Sequence, residues 1–200
     1  TRLKAMVIGD VMIDSYIFGK VERISPEPPV PVVHISKREM RPRGAANVAI
    51  NLKALGASTV LCSVTGNDEG GDKFKNLLAA EGLSDAGLLR SNEHTTTVKT
   101  RVIGNNHQLL RVDDETLKDI SGDTESKFIN HCLLLIKSEK PDVIIFEDYD
   151  KGVITENVII KITDAAAAAG IPVTVDPKRK NFNFYKNITL FKPNLHELRT

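Results

Sequence analysis

The chain has 200 residues, of which 41% are hydrophobic and 26% are charged, and this suits one soluble α/β domain, alone or with a small appendage. Its 27 basic and 26 acidic residues leave a formal net charge of +1, which argues against a nucleic-acid binder that neutralises phosphates in bulk. The sequence has no apolar run of about 18 residues and no basic-then-apolar signal pattern at its start, so we predict a soluble, cytoplasmic protein.

The first part of the chain predicts a parallel sheet whose strands are joined by helices. Residues 3–9 form a short apolar run that ends in glycine, as expected of a buried strand. Apolar residues recur at helical spacing over 45–55, a strand pattern follows over 59–64, and a second helix is predicted over 69–82. Alternation of strand and helix is typical of a parallel sheet with helical crossovers.

Two segments interrupt this alternation. Residues 16–41 contain two alternating stretches around the proline-rich run 25–29, which predicts two edge-type strands joined by a rigid loop. Residues 97–103 and 107–112 alternate on either side of a Gly-Asn-Asn turn, which predicts a hairpin. The similar patterns of the two segments indicate one small sheet outside the main domain.

The last third of the chain returns to the α/β pattern. It predicts a helix over 124–138, a strand over 141–146, a helix over 155–170, and strands over 171–175 and 188–191.

Polar side chains directly follow several of the predicted strands. They are Asp10, Asp14, Asp148, Asp176 and Asn194. Ligands of open α/β sheets bind beyond the carboxyl ends of the strands, and carboxylates accept hydrogen bonds from sugar hydroxyls at about 1.5–3 kcal/mol each. For any one of these residues, loop or helix-capping chemistry is the alternative; together they favour a site for a polyhydroxylated ligand.

Two glycine-containing runs invite a ligand-binding interpretation. The run from Gly44 to Asn47 opens a helix with small residues that allow a ligand to approach the backbone, although small residues also serve helix packing. Asn47 places an amide in an otherwise apolar helix. Residues 66–71 lack both the dinucleotide and the Walker glycine spacing, so we interpret them as a turn and a helix start.

Longer motifs carry a family resemblance. In order, VIGDVMIDSY, RISPEPPVPVV, RPRGAANVAINLKALGA and TGNDEGGDKF resemble the start of a ribokinase-like (PfkB-type) carbohydrate kinase. The later runs TTVKTRVIGNNHQLLRVDDE, FEDYDKGVI and VTVDPKRKNFNFYKNITLFKPNLHEL are similar to family members that phosphorylate heptose 7-phosphate. The resemblance covers essentially the whole chain.

The resemblance implies a Rossmann-like αβα ribokinase core with a small β-sheet lid, which often forms a dimer. We expect the core over 1–14, 42–94 and 114–200 and the lid over 15–41 and 95–113. The implied reaction is transfer of phosphate from ATP, with Mg²⁺, to C1 of D-glycero-D-manno-heptose 7-phosphate, a step towards ADP-heptose and lipopolysaccharide. The alternatives are another sugar or nucleoside substrate, or a non-catalytic sugar-binding module.

The resemblance also implies roles for individual residues. The substrate-binding residues carried over by motif are Asp14, Gly44, Asn47, Gln108, Arg111, Asp148, Lys151 and Lys178. Arg111 is the candidate for the 7-phosphate, because a guanidinium group recognises phosphate well, and Arg23 and Lys99 are weaker candidates. Asn194 and Glu197 match the Asn-x-x-Glu motif that organises Mg²⁺ and the nucleotide phosphates, largely through water.

Three departures from the family pattern qualify the resemblance. Arg43 stands where the family has the first glycine of its pair, and there it either blocks backbone approach to the sugar or supplies another cation. His107 replaces a glutamine beside Gln108. The catalytic Gly-Ala-Gly-Asp motif is absent, so we assign no catalytic residue, interpret the chain as the first two-thirds of a kinase, and expect poor ATP binding and no useful turnover.

Overall fold

A computed structural model describes residues 3–199, without the side chain of Arg199. In chain order the elements are β1 (Lys4–Gly9), β2 (Val11–Ile24), β3 (Pro31–Gly44), α1 (Ala45–Ala54), β4 (Ser58–Gly66), α2 (Glu69–Ala80), β5 (Leu88–Ser91), β6 (Thr97–Gly104), β7 (His107–Asp114), α3 (Gly122–Glu139), β8 (Val143–Glu147), α4 (Glu156–Ala168), β9 (Val173–Asp176), a 3₁₀ helix (Arg179–Phe184), β10 (Leu190–Phe191) and α5 (Leu195–Arg199). No helix within 3–199 is both long and apolar enough to cross a membrane.

Six strands form a parallel sheet in the order β10-β9-β8-β1-β4-β5. The central strands are apolar on both faces because helices cover both. Ile8 and Ile144 lie in a core shared with α3 and α4, whereas Val7 and Leu61 lie in a second core with Phe74 of α2. This three-layer αβα arrangement confirms the fold class predicted from the sequence.

A second sheet contains both interrupting segments, in the order β3-β2-β6-β7. The prediction of two edge-type strands was wrong for β2, which lies between β3 and β6 and pairs with both. The prolines fall in the 25–29 loop and within β3, an edge strand, so they leave β2 free to pair on both sides. The division into core and lid at the predicted boundaries stays a prediction.

The strands of this second sheet, which we call the lid sheet, are longer than the sequence pattern indicated. β2 begins at Val11 and β3 ends at Gly44, so Asp14 lies inside a strand and not after one. In the main sheet, β5 was missed altogether, because four residues are too few to show a period. β10 has two residues where the pattern predicted four.

Gly44 joins the lid sheet to α1. Its φ of 65° lies in the left-handed region, and a β-carbon here would collide with the carbonyl oxygen of Asp10. The N–H of Ala45 donates to that same carbonyl at 2.9 Å. The glycine is therefore required by the backbone itself, since it lets α1 begin directly against the end of β1.

Thr155 caps α4, as the sequence predicted. Its hydroxyl accepts a hydrogen bond from the N–H of Val158 at 3.2 Å and donates one to the Glu125 carboxylate. We expect Thr155→Ala to lower the free energy of unfolding by about 1 kcal/mol, because an N–H at the helix start loses its acceptor. Urea unfolding measures this change, with Thr155→Ser as the control that keeps the hydroxyl; equal losses in both variants would contradict the capping role.

Candidate active site

Asp10 holds the loop that follows β8. The side chain is fully buried, and its two oxygens accept from the backbone N–H groups of Tyr149 at 2.8 Å, Lys151 at 3.2 Å and Val153 at 2.9 Å. Burial raises the pKa of Asp10 to about 6, although these three donors lower it. The sequence placed Asp10 on a ligand-binding rim, but its carboxylate is already occupied by the protein.

Asp148 is also buried and occupied. Its Oδ2 accepts from Asn181 Nδ2 at 2.8 Å and from the Tyr185 hydroxyl at 3.3 Å, and its Oδ1 accepts from the N–H of Asp150 at 3.0 Å. Burial raises the pKa of Asp148. Its predicted contact with the sugar stays a prediction; the geometry favours a positioning role. Sequence reasoning missed Asn181 and Tyr185, because they lie more than 30 residues away along the chain.

Asn47 lies in the first turn of α1, next to the junction at Gly44, and is partly exposed. Within residues 3–199 its side-chain amide makes no hydrogen bond. An amide with unused donors and an unused acceptor, at a helix start beside Asp10, is available to a ligand. The predicted role of Asn47 is thus compatible with its placement.

Asp14 is clamped between two arginines on one face of the lid sheet. Arg101 of β6 donates from Nη1 to Oδ1 at 2.7 Å, and Arg43 of β3 donates from Nε to Oδ2 at 3.1 Å. The Tyr16 hydroxyl lies 3.4 Å from Oδ2. The sequence singled out Asp14 and noted Arg43 but missed Arg101, whose signal was its alternation with Lys99 along the same strand.

A chain of ion pairs connects the lid sheet to the core. Lys99 donates to Asp113 at 3.1 Å and to Glu115 at 2.7 Å, and Glu115 also accepts from Lys151 at 3.2 Å. Burial raises the pKa of Glu115, but the combined effect of Lys99 and Lys151 is larger and of opposite sign. The pKa of Glu115 therefore lies below its ordinary value. Arg111 forks onto Asp113 at 2.7 and 2.6 Å. Lys99, Arg111 and Lys151 therefore meet in one network, and the sequence missed Glu115 at its centre.

The remaining lid candidates lie farther along the sheet. Gln108 pairs with Ile103, four residues beyond the level of Asp14, and His107 is at the adjoining hairpin end. Arg23 is exposed and lies nine residues from Asp14 along β2, about 30 Å away at the rise of an extended strand. The structure does not bring Arg23 to the site.

The Asn-x-x-Glu motif forms a reciprocal cap at the start of α5. The N–H of Asn194 donates to Glu197 Oε2 at 2.8 Å, and the N–H of Glu197 donates to Asn194 Oδ1 at 2.9 Å. Lys178 pairs with Glu197, and its Nζ lies 6.0 Å from the centre of the Tyr149 ring. Lys178, Asn194 and Glu197 are therefore together, as a shared role with phosphates requires.

Glu147 is a candidate that the sequence analysis did not assign. It is the last residue of β8 and lies beside Asp176, the last residue of β9. Burial raises the pKa of Glu147 to about 7, and the negative charge of Asp176 adds to this rise. The sequence feature that could have identified Glu147 is its position at the carboxyl end of a predicted strand, one residue before Asp148. Among residues 3–199 no three His, Cys, Asp or Glu side chains are grouped to hold a metal.

Solved structures of other proteins share the fold of this chain. Phosphofructokinase-2 from Escherichia coli in complex with fructose-6-phosphate matches with a TM-score of 0.69 and 19% identity, over 98% of this chain and 62% of that chain. Ribokinase from Arabidopsis thaliana complexed with ribose and ATP matches with a TM-score of 0.64 and 16% identity, over 99% of this chain and 62% of that chain. At these identities the likeness shows the fold, which is that of the ribokinase-like carbohydrate kinases.

Comparison of the sequence with known proteins assigns the chain to a family. The family model described as "pfkB family carbohydrate kinase" matches residues 2–200. The chain therefore belongs to this family, as the motifs predicted. Bifunctional protein HldE from Pseudomonas aeruginosa (strain UCBPP-PA14) is 44% identical over 195 residues, which are 98% of this chain and 40% of that protein. D-beta-D-heptose 7-phosphate kinase from Bordetella bronchiseptica is 42% identical over 204 aligned positions, which cover 99% of this chain and 61% of that protein. The chain spans less than two-thirds of either relative.

Proposed function

We propose that the chain is the sugar-binding portion of a kinase that phosphorylates D-glycero-D-manno-heptose 7-phosphate at C1. The observation that carries this proposal is the charged face of the lid sheet around Asp14. A carboxylate there suits sugar hydroxyls, and the arginines around it suit a phosphate group. The heptose 7-phosphate kinase among the relatives supports the same substrate.

Charge on this face favours an anionic ligand. Strand register puts three rows of residues, at the levels of Met12, Asp14 and Tyr16, on one side of the sheet. The cations in these rows are Arg41, Arg43, Lys99, Arg101 and Arg111, and the carboxylates are Asp14, Glu39 and Asp113. Five positive charges against three negative ones leave an excess that a sugar phosphate would balance.

We infer that the nucleotide end of the site is at the carboxyl ends of β9 and β10. Asn194 and Glu197 would hold Mg²⁺ through water, since carboxylate and amide oxygens are the ligands this ion accepts while keeping part of its water shell. When bound, Mg²⁺ would neutralise charge on the phosphates of ATP. Lys178 is placed beside Glu197 and would add a cation there.

The lid sheet also supports a proposal about assembly. Its outer strands carry exposed apolar side chains, among them Ile35, Leu110 and Val112. We infer that a second copy of the chain covers them in a homodimer, because apolar side chains concentrated on one sheet favour association.

The substrate proposal is tested by calorimetric titration of the 200-residue chain. We expect heptose 7-phosphate to bind at least tenfold more tightly than fructose 6-phosphate, ribose or adenosine. With ATP and Mg²⁺ added, ³¹P NMR should show no bisphosphate, since the chain lacks the Gly-Ala-Gly-Asp motif. A preference for another ligand would refute the substrate, absence of binding would refute the site, and turnover would refute the expected inactivity.

A further inference from the structure

Arg43 stands out among the cations of the lid sheet because of where it lies. It is the residue before Gly44, at the point where β3 leaves the lid sheet and α1 begins against Asp10. It is also the position at which the resemblance expects glycine. A glycine there would leave Oδ2 of Asp14 open on that side, whereas Arg43 donates to it.

The two arginines on Asp14 are not equivalent. Arg101 makes the shorter contact, at 2.7 Å, and its side chain is 23% exposed. Arg43 makes its contact at 3.1 Å through Nε alone and is 42% exposed. A guanidinium group has five N–H donors, so its interactions with Asp14 and with the Tyr16 hydroxyl leave other donors of Arg43 unused on an accessible side chain.

We propose that Arg43 determines substrate specificity by binding the anionic group of a phosphorylated sugar beside Asp14, so that the site selects sugar phosphates over neutral sugars. Asp14 keeps Arg43 in place when the site is empty. The phosphate then competes for the guanidinium, and Asp14 retains Arg101 and becomes able to accept from a sugar hydroxyl. This inference rests on the proposed function, because it needs a sugar phosphate as the ligand.

The alternative is that Arg43 only stiffens the lid sheet by joining β3 to β2. The two roles differ in what they predict for ligands. A stiffening role affects the binding of phosphorylated and unphosphorylated sugars equally, because both need an ordered lid. A phosphate-binding role affects only the phosphorylated sugar, and removal of Arg43 leaves Asp14 more available to a neutral one.

The test compares Arg43→Gly with Arg38→Gly by calorimetric titration of heptose 7-phosphate and of the same heptose without phosphate. Arg38 is an exposed arginine of the same strand, but it pairs with Ile17 and so lies on the opposite face of the sheet. We expect Arg43→Gly to weaken heptose 7-phosphate binding by about tenfold or more, the effect of one charge-assisted hydrogen bond. Binding of the neutral heptose should be unchanged or tighter, Arg38→Gly should leave both within about twofold, and Arg43→Lys should restore part of the loss.

Equal weakening of the binding of both ligands by Arg43→Gly would overturn the proposal in favour of the stiffening role. No change in the binding of either ligand would overturn the proposal as well. The pair fructose 6-phosphate and fructose separates this proposal from the proposed function. If only that pair binds the native chain, the heptose substrate is refuted, while selective loss of fructose 6-phosphate binding in Arg43→Gly would still support Arg43. If the native chain binds neutral sugars as tightly as their phosphates, the role of Arg43 is refuted.

Discussion

We expect Asp10→Ala to lower the free energy of unfolding by about 3 kcal/mol or more. Three backbone N–H groups, those of Tyr149, Lys151 and Val153, lose their acceptor at once, and each such loss in a buried site costs about 1–3 kcal/mol. Relief from burying a carboxylate, whose pKa burial raises to about 6, offsets only part of this loss. Denaturant unfolding at pH 7 measures the difference.

Asp10→Asn is the matched control for this substitution. The amide keeps the shape of the carboxylate and one acceptor oxygen, but its NH₂ group faces a backbone donor. The free energy of unfolding should therefore fall less in Asp10→Asn than in Asp10→Ala. If both variants lie within about 1 kcal/mol of the native protein, the three hydrogen bonds do not hold the loop, and the structural role assigned to Asp10 fails.

The consequence of Asp10 extends to the lid sheet. The loop that it holds contains Lys151, whose ammonium group pairs with Glu115, and Glu115 in turn pairs with Lys99 of β6. One fully buried carboxylate thus orders the residue that joins the core to the lid sheet. The proposed kinase activity needs both parts in register, because phosphoryl transfer depends mainly on positioning.

The sequence predicted what is local. The periodicity of the strands and helices, the cap at Thr155 and the turn after Gly104 are all decided within a few residues, and each is present in the structure. What is not local was missed. β5 shows no pattern of its own, and it forms because it extends the main sheet beside β4.

The same distinction holds for the candidate site. A carboxylate after a strand predicts a ligand-binding group, yet Asp10 and Asp148 accept hydrogen bonds from partners far away in the chain. Arg101 and Glu115 were missed because their roles come from strand register and from contacts across the two sheets. The motif resemblance assigns roles to Asp14 and Glu197 that stay predictions, and the structure shows which cations pair with them.

Glu147 is expected to make the stability of the protein fall as the pH rises. Its pKa is raised from 4.5 to about 7 in the folded protein, first by burial and then by the charge of Asp176. Between these values the folded protein holds a proton that the unfolded chain has lost, so folding is favoured at the lower pH and this contribution disappears by about pH 7. At 1.36 kcal/mol for each pKa unit, the contribution is about 3 kcal/mol at most.

Glu147→Gln removes this titration and should stabilise the protein at neutral and higher pH. Near pH 4.5 the variant and the native protein should unfold with similar free energies, because the native side chain is already neutral there. By pH 8 the variant should be more stable by about 2–3 kcal/mol, as measured by urea unfolding across the range. The raised pKa values of Asp10 and Asp148 affect both proteins alike and cancel in the comparison.

Asp176→Asn separates the two causes of this behaviour. Burial of Glu147 is unchanged in this variant, while the repulsion between the two strand ends is gone. Because burial is the larger cause, the pH-dependent loss of stability should persist in Asp176→Asn, moved to lower pH and reduced, rather than vanish as it does in Glu147→Gln. A pH dependence abolished equally by both substitutions would mean that charge repulsion alone raises the pKa of Glu147.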